Sequence, residues 1–406
     1  MKILFLSYDG MTDPLGQSQV IPYLQGLSAA GNQVWLISFE KPDRFQNGQN
    51  EISTLLKTSG IHWIPQMYTA KPPVISTIRD IRSMRNAAYA CILKNGIEVL
   101  HCRSYISALV GQSAKKRFGT RFIFDMRGFW ADERVDGGIW KLSNPLFRTI
   151  YKYFKKKEKQ FLLEADQTIS LTHNAANEIH SWDGFQHIPI TVIPCCADLS
   201  LYSRAADNQI QKLKSELGIH SNVFVLSYLG SLGTWYMLPE MMRLFKVLLS
   251  SKPDAVFLFI TADRPEIVYE EARIQQVPIE QCVVQKAKRN EVPLFASLGD
   301  ASVFFIRPLY SKKASSPTKM GELMALGMPL ICNAGVGDVE EILLDGGNGL
   351  ILKSMDSQAC EIALKQLDSV LKADPEKNKI VARKYYSLDE GVKRYLSVYQ
   401  KLKGYS

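Results

Sequence analysis

The clearest chemical pattern in the chain is the stretch SPTKMGELMALG, which begins at Ser316. Ser316 is a favoured helix N-cap, and Pro317 suits the first helical position, where a missing N–H costs nothing. Lys319 and Glu322 lie three residues apart, so the spacing places them on one face of the predicted helix. Open backbone amides beside a lysine favour phosphate, whereas a carboxylate suits a pair of sugar hydroxyls.

The loop before this stretch is basic. Arg307, Lys312 and Lys313 lie in RPLYSKKASSPTK, between the apolar run ASVFFI and the predicted helix. Bare amides combined with cations suit a diphosphate, and a diphosphate joined to a ribose is part of a nucleotide sugar. We therefore predict five ligand-binding residues here: Arg307, Ser316, Thr318, Lys319 and Glu322.

Two loops rich in small residues follow predicted strands. Gly16 and Gln17 lie in DGMTDPLGQSQ, where the glycine lets backbone amides approach a phosphate or sugar, although a turn glycine is the favoured alternative for this loop alone. Ser231, Gly233 and Thr234 lie in YLGSLGTWY, where the clustering of small residues favours a phosphate site over a plain turn. Neither loop has the G-x-G-x-x-G spacing of a NAD-binding site.

The most polar stretch, FDMRGFWADERVDGG, follows the apolar strand that precedes it. Arg127 is the candidate for binding an anion or a developing charge at a reaction centre. Asp132 or Glu133 could accept a proton from an acceptor hydroxyl, and the choice between them stays open. Structural ion pairs are the alternative for all of these charges. His101, in VLHCRS, ends a predicted strand and is a further catalytic candidate, with a core or capping histidine as the alternative.

Short apolar runs alternate with helix-length amphipathic stretches along all 406 residues, which indicates parallel sheets buried on both faces. The length favours two domains, and the polar segment at 198–211 is the expected boundary. We predict Rossmann-like doubly wound domains at 1–200 and 201–385, followed by a C-terminal helix at 386–406. The predicted strands are KILFLSY, QVWLISF, VLHCR, RFIFDMR, QTISL, TVIP, VFVLSYLG, AVFLFIT, CVVQKA, ASVFFI, PLICNA and GLIL.

A formal net charge of +9 favours acidic partners such as nucleotide phosphates or anionic lipid. Nucleic acid is disfavoured because no zinc-finger or RNA-binding signature is present. The basic stretch at 148–162 could form an amphipathic helix on an anionic membrane, or a solvated helix face. Its expected apolar stripe is Ile150, Tyr153, Phe154, Phe161 and Leu162. Seven cysteines without regular spacing and the lack of a long apolar run predict a cytoplasmic protein, peripheral on a membrane at most.

Motifs in order along the chain resemble retaining glycosyltransferase family 4, which has the GT-B fold of two Rossmann-like domains facing across a cleft. SPTKMGELMALGMPLI resembles the nucleotide-binding motif of that family, in an SPTK-type subgroup. KILFLSYDG with GQSQ resembles its N-terminal glycine loop, and LSAAGNQVWLISF its second strand with the helix before it. VIPCCAD and GDVEEILLDGGNGLIL resemble the segments before the interdomain linker and near the C-terminus.

The resemblance implies transfer of a sugar from a nucleotide diphosphate to an acceptor hydroxyl, with anomeric retention and with neither a cofactor nor an obligatory metal. Glu322 matches the glutamate that holds the ribose, and Gly16 matches the loop near the donor phosphate. The final helix is expected to return onto the first domain. Three positions depart from the family pattern: Ala314 and Ser231 replace a glutamate and an arginine, and Arg127 replaces a histidine. Lys319, Arg307 and Arg127 are expected to supply the missing positive charge.

The resulting expectation is a cytoplasmic glycosyltransferase, peripheral on the inner face of the membrane, that builds a surface polysaccharide or glycolipid on a lipid-linked acceptor. A non-catalytic GT-B scaffold that pairs with an active partner is one alternative. A nucleotide-sugar epimerase on the same fold is another.

Overall fold

The computed structural model describes residues 1–346 and 348–403 and divides the chain into two compact units. The first contains Met1–Cys195 together with the chain from Leu388 onward, and the second contains Cys196–Ser387. These bounds lie within a few residues of the predicted 1–200, 201–385 and 386–406. Residues 404–406 of the predicted final helix lie outside the described part of the chain.

The first unit is built on seven parallel strands in the order β3-β2-β1-β4-β5-β6-β7. Strands such as β4 and β6 are buried along their whole length, because helices cover both faces of the sheet. The strands are β1 Lys2–Ser7, β2 Gln33–Glu40, β3 Ile61–Met67, β4 Val99–Arg103, β5 Arg121–Asp125, β6 Gln167–Ser170 and β7 Ile190–Val192. The helices are α1 Pro14–Gln19, α2 Ile21–Ala29, α3 Pro42–Thr58, α4 Ile75–Asn95, α5 Ser104–Phe118, α6 Trp130–Asp136, α7 Pro145–Glu164 and α8 His173–His180.

The second unit repeats this topology with six parallel strands in the order β10-β9-β8-β11-β12-β13. The strands are β8 Val225–Leu229, β9 Val256–Ile260, β10 Cys282–Gln285, β11 Ala301–Phe304, β12 Leu330–Asn333 and β13 Gly349–Leu352. The helices are α9 Asp207–Glu216, α10 Leu238–Leu249, α11 Pro265–Gln275, α12 Val292–Ala296, α13 Thr318–Ala325, α14 Val339–Gly346, α15 Ser357–Leu364, α16 Leu367–Leu371 and α17 Pro375–Tyr386. The prediction of two doubly wound parallel sheets is confirmed.

The last helix, α18 Leu388–Lys403, belongs to the first unit and packs on α2. The two helices approach closely at Gly26, where a Cβ atom would lie 2.5 Å from a methyl carbon of Val392. Tyr395 and Tyr399 of α18 are buried, so this helix supplies part of the core of the unit.

The basic helix predicted at 148–162 forms as α7, but the predicted apolar stripe is wrong as a membrane-facing surface. Phe154, Phe161 and Leu162 are buried in the core of the first unit, where Phe161 packs against Phe124 with ring centroids 5.3 Å apart. Only Tyr153 of the stripe is exposed. In the described residues, none of the helices is both long enough and apolar enough to cross a bilayer.

Candidate functional site

In the second unit, the predicted ligand residues gather where the strand order reverses, between β8 and β11. β8 ends at Leu229 and leads into the loop at 230–236, while β11 ends at Phe304 and leads towards α13. Ligands of open α/β sheets bind beyond the carboxyl ends of the strands at such a point. The backbone N–H of Arg307 donates to the carbonyl of Trp235 over 2.9 Å, which ties the two loops together.

Helix α13 begins at Thr318 with Pro317 at the N-cap. The predicted order, with Ser316 as the cap and Pro317 as the first helical residue, is therefore wrong by one residue. The difference arises because Pro317 adopts an extended backbone, with a ψ of 109°, instead of turning into the helix. Ser316 and Thr318 still flank the helix start, and both are half-buried.

Lys319 is held against two aromatic rings. Its ammonium nitrogen lies 3.8 Å from the centroid of the Tyr236 ring and 4.6 Å from that of Tyr228, and it donates to the Tyr228 hydroxyl over 3.5 Å. Within the described residues, Lys319 has no carboxylate at ion-pair distance. Burial lowers the pKa of Lys319 to about 7, against a smaller raising effect of Glu322. The site thus contains a lysine whose ammonium form is stabilised by ring faces and not by a direct ion pair.

Gly230 makes room for this lysine. A Cβ atom at this position would lie 2.6 Å from the Lys319 nitrogen, and the residue has a φ of +122°, which other residues rarely adopt. The rest of the loop is fixed by Asp263, whose carboxylate accepts a hydrogen bond from the backbone N–H of Leu232. Ser231, Gly233 and Thr234 consequently stand exposed on a well-anchored loop.

A second lysine is stacked in the same way. The Lys312 ammonium lies 3.5 Å from the centroid of the Trp235 ring. Lys312 is buried, whereas Arg307 is exposed. The structure thus brings the basic loop and the glycine loop together, as a site for an anion requires. Ala314, which stands where the resembled family has a glutamate, is buried and offers no polar group.

Glu322 is oriented by a residue from outside its helix. Its carboxylate is hydrogen-bonded to the hydroxyl of Tyr202, which follows a short 3₁₀ turn at Leu199–Leu201. Burial raises the pKa of Glu322, and this is opposed by the Tyr202 hydrogen bond and by the charges of Arg289 and Lys319. A half-buried carboxylate in this position can accept hydrogen bonds from vicinal hydroxyls.

In the first unit, the ligand-binding role predicted for Gly16 stays a prediction, and the structure shows how this glycine packs. Gly16 lies inside the short helix α1, which precedes α2, and it is buried. A Cβ atom there would lie 2.2 Å from the carbonyl oxygen of Gly10, so the glycine is needed for packing within the loop. Gln17 is exposed, and its side-chain amide donates to the Thr12 carbonyl over 3.3 Å. The loop is further held by Glu40, a fully buried carboxylate that accepts from two of its backbone amides.

The expectation that His101 ends a strand is wrong, and its surroundings are those of the alternative, a core histidine. His101 is the third of five residues in β4 and is completely buried. Its Nε2 lies 3.3 Å from the Asp125 carboxylate and its Nδ1 lies 2.6 Å from the Tyr399 hydroxyl. These partners fit a neutral ring that donates from Nε2 and accepts at Nδ1. Burial lowers the pKa of His101 despite the neighbouring Asp125, which agrees with a neutral ring.

Arg127 has an unusual backbone, with a φ of +55°, two residues beyond the end of β5. One of its terminal nitrogens lies 3.8 Å from the Asp125 carboxylate, and the other donates to the sulfur of Cys195 over 3.2 Å. Strained residues of this kind concentrate at functional sites. Arg127 therefore remains a candidate anion-binding residue at the carboxyl edge of the first sheet.

Asp132 is engaged by helix α7. Its two carboxylate oxygens accept hydrogen bonds of 2.8 Å from the hydroxyl of Tyr151 and from the ammonium group of Lys155. The pair anchors α6 to α7, so the structure gives Asp132 a clear structural role. Glu133, the other candidate base, is half-buried on the same helix. The choice between Asp132 and Glu133 as the proton acceptor stays open.

Two family models match most of the chain between them. Glycosyltransferase Family 4 matches residues 19–201, and Glycosyl transferases group 1 matches residues 209–386. The chain belongs to the GT-B glycosyltransferases. The coarse prediction of family and activity is confirmed by these matches. A comparison with curated protein sequences finds no match.

Several solved structures share the GT-B fold along its full length. A sucrose-phosphate synthase from Thermosynechococcus elongatus superposes with a TM-score of 0.74 at 14% identity, covering 100% of both chains. HepE from Anabaena, in complex with UDP and glucose, gives a TM-score of 0.70 at 14% identity and covers 98% of this chain and 99% of its own. A glycosyltransferase from Rickettsia africae ESF-5 gives 0.70 at 14% identity, covering 99% and 98%. At such identities the likeness establishes the fold.

Sequence reasoning missed the residues that surround Lys319 and Glu322. Tyr228 and Tyr236 lie at the two ends of the motif YLGSLGTWY, and their aromatic character beside a glycine loop was the available signal. Tyr202 and Arg289 carry no local signal, because they lie far from Glu322 in the sequence. Among the described residues, no three His, Cys, Asp or Glu side chains are grouped in a way that could hold a metal ion.

Proposed function

We propose that this glycosyltransferase moves a sugar from a nucleotide diphosphate sugar to an acceptor hydroxyl, with retention of anomeric configuration. The observation that carries the proposal is the pair Lys319 and Glu322, one turn apart on α13 at the reversal point of the second sheet. Lys319 has no carboxylate at ion-pair distance among the described residues, and Glu322 is hydrogen-bonded to Tyr202. One side chain is thus suited to phosphate and the other to ribose hydroxyls.

Departure of the nucleotide diphosphate leaves negative charge on its outer phosphate, and groups aimed at that charge lower the barrier. Lys319 is the second residue of α13, and Arg307 lies in the loop that precedes this helix. The phosphate-binding surface would be completed by backbone amides from two places. One is the glycine loop, at Ser231, Gly233 and Thr234, and the other is the start of α13, at Ser316 and Thr318. These residues supply positive charge and N–H donors without requiring a metal ion.

We assign the acceptor to the first unit. Arg127 is the strained, positively charged residue at its carboxyl edge. Asp132 or Glu133 is the candidate group for taking the proton of the acceptor hydroxyl. A lipid-linked glycan acceptor, in the synthesis of a surface polysaccharide or glycolipid, fits the net charge of +9. A cytoplasmic location, with contact to the inner face of the membrane, follows from the same proposal.

The test is turnover of donors by the purified full chain. UDP-sugars are tested first, because HepE, which has a similar fold, was crystallised with UDP-glucose. GDP-sugars and dTDP-sugars are tested next. We expect slow hydrolysis of one donor without acceptor, and a shift in melting temperature with its nucleoside diphosphate. Lys319→Ala should abolish both effects, whereas Lys377→Ala, which changes an exposed lysine on α17, should leave them intact. Absence of hydrolysis, transfer and thermal shift with every donor would refute the proposal.

Two other outcomes identify the alternatives. Nucleotide binding without turnover, together with a tightly bound protein partner, would indicate a non-catalytic scaffold, which the apolar Ala314 motivates. Conversion of the donor sugar to its epimer without any acceptor would indicate an epimerase.

A further inference from the structure

The outer face of α4 has an unusual composition. Between Ile61 and Asn95 the chain contains five lysines and arginines but a single acid, Asp80. That acid is buried, and its carboxylate accepts hydrogen bonds from the Tyr8 hydroxyl over 2.7 Å and from the backbone N–H of Thr69 over 3.2 Å. The positive charge of this segment is therefore not offset by acids of its own.

Three arginines occupy one face of α4. They are Arg79, Arg82 and Arg85, which recur at three-residue intervals. All three are exposed, and none of them forms an ion pair with another residue in the described ranges 1–346 and 348–403. At 100° per residue, they and the two isoleucines before them fall within about 120° of the helix circumference. The opposite face, with Met84 and Ala88, is buried against the first unit.

Large apolar side chains lie at the same end of the helix. Ile75 is 52% exposed, Ile78 is 44% exposed, and Met67 at the end of β3 is 48% exposed. Lys71, in the loop between β3 and α4, is also exposed. Isolated exposed apolar residues are common, but their combination with a stripe of unpaired arginines is typical of helices that lie in a lipid interface.

We propose that this surface, formed by Met67, Lys71, Ile75, Ile78, Arg79, Arg82 and Arg85, binds an anionic phospholipid membrane. The arginines and Lys71 contact the headgroup phosphates, and the isoleucines and Met67 enter the boundary between headgroups and acyl chains. Charge complementarity selects an anionic partner. The exposed isoleucines favour lipid over nucleic acid, which offers no apolar layer at its phosphate surface.

This inference extends the proposed function, because a membrane-bound enzyme would meet a lipid-linked acceptor at the surface. It also places the membrane contact on α4 and not on α7, for which the sequence left a membrane-bound helix and a solvated helix face as alternatives. Vesicle binding is measured without donor or acceptor, so failure here is distinguishable from failure of the proposed transfer reaction.

The experiment is cosedimentation of the full chain with vesicles of phosphatidylcholine alone or with one third phosphatidylglycerol. We expect binding only to the anionic vesicles, weakened strongly when salt is raised from about 0.1 M to about 1 M. Replacing all three arginines by glutamine should weaken binding about 100-fold. Ile75→Ser with Ile78→Ser should weaken it about tenfold while leaving the salt dependence.

The matched control neutralises three exposed lysines of α7, as Lys152→Gln, Lys156→Gln and Lys159→Gln, and should change binding little. All variants alter exposed side chains, and an unchanged melting temperature establishes that they fold. Equal loss in the α7 control, equal binding to neutral vesicles, or wild-type binding by the arginine variant would each overturn the proposal. Arginine-dependent binding to an oligonucleotide without binding to vesicles would overturn it in favour of nucleic acid.

Discussion

The ammonium nitrogen of Lys319 lies 3.8 Å from the centroid of the Tyr236 ring. A ring face attracts a cation without neutralising it. The ammonium group of Lys319 can therefore still pair with an anion. Burial lowers the pKa of Lys319 to about 7. The charge of this side chain at neutral pH depends on whether a ligand is bound.

Nucleoside diphosphate affinity should fall as the pH rises above 7. Only the ammonium form of Lys319 attracts phosphate, and the free protein loses this form as the pH passes its pKa of about 7. The bound diphosphate favours the charged form and raises the pKa again, so binding above pH 7 should take up a proton. Calorimetry of UDP binding between pH 7 and pH 9, in buffers of different ionisation enthalpy, measures both effects. Lys319→Arg, which stays charged, should remove the proton uptake, and an unchanged affinity of the wild type across this range would contradict the prediction.

Gly230→Ala should weaken nucleotide binding at least several-fold and lower the melting temperature. The new methyl group would meet the Lys319 nitrogen at 2.6 Å, and the φ of +122° strains any residue with a Cβ atom. Gly233→Ala is the matched control for stability, since no atom lies within 4 Å of its Cβ position. Thermal denaturation with and without UDP compares the two variants, and similar melting temperatures for both would argue against the tight fit at Gly230.

The fold was largely predictable because most of the buried parallel strands are recognisable in the sequence as short apolar runs. Twelve of the thirteen strands coincide with apolar runs read from the sequence. The missed strand, β3, lies at the edge of its sheet, is mostly half-buried and contains Pro65. An edge strand can tolerate a proline and needs fewer apolar residues, so its sequence resembles that of a loop.

The candidate site was predictable only where its residues are close in sequence. Lys319 and Glu322 follow from helical spacing alone, whereas the contact of Glu322 with Tyr202 joins residues 120 positions apart. His101 shows a second limit: it was expected at the end of a strand, but it lies in the middle of β4 and contacts Tyr399, nearly 300 residues later. Gly16 illustrates a third limit, because a glycine required for packing looks the same in sequence as one that approaches a ligand.

Tyr202→Phe should raise the donor KM several-fold with little change in kcat. The substitution removes the hydroxyl that orients the Glu322 carboxylate but keeps the buried ring, so ribose binding is affected more than the chemical step. Glu322→Gln provides the comparison and should have the larger effect on KM. Steady-state kinetics with the best donor, at fixed acceptor, distinguishes these effects. A loss confined to kcat in Tyr202→Phe would show that the tyrosine does not act through ribose binding.

Asp125→Asn should destabilise the first unit by about 3–5 kcal/mol, because it leaves buried Arg127 without its nearby carboxylate. The wild-type carboxylate also accepts a 2.9 Å hydrogen bond from Tyr395. Although burial alone would raise the pKa of Asp125, Arg127 and His101 outweigh it and lower the pKa from 3.8 to about 2. A carboxyl with a depressed pKa stabilises the fold above pH 3.8, and this contribution is lost as the pH falls towards 2.

The measurement is chemical denaturation of wild type, Asp125→Asn and Tyr399→Phe between pH 3 and pH 7. Tyr399→Phe removes only the hydrogen bond to His101 and should cost about 1 kcal/mol, which makes it the milder control in the same cluster. The difference in unfolding free energy between wild type and Asp125→Asn should shrink below pH 4. Since His101 is fully buried, Tyr399→Phe should also retain near wild-type kcat per folded molecule. A large loss of kcat without loss of stability would instead place His101 in the reaction and contradict its structural role.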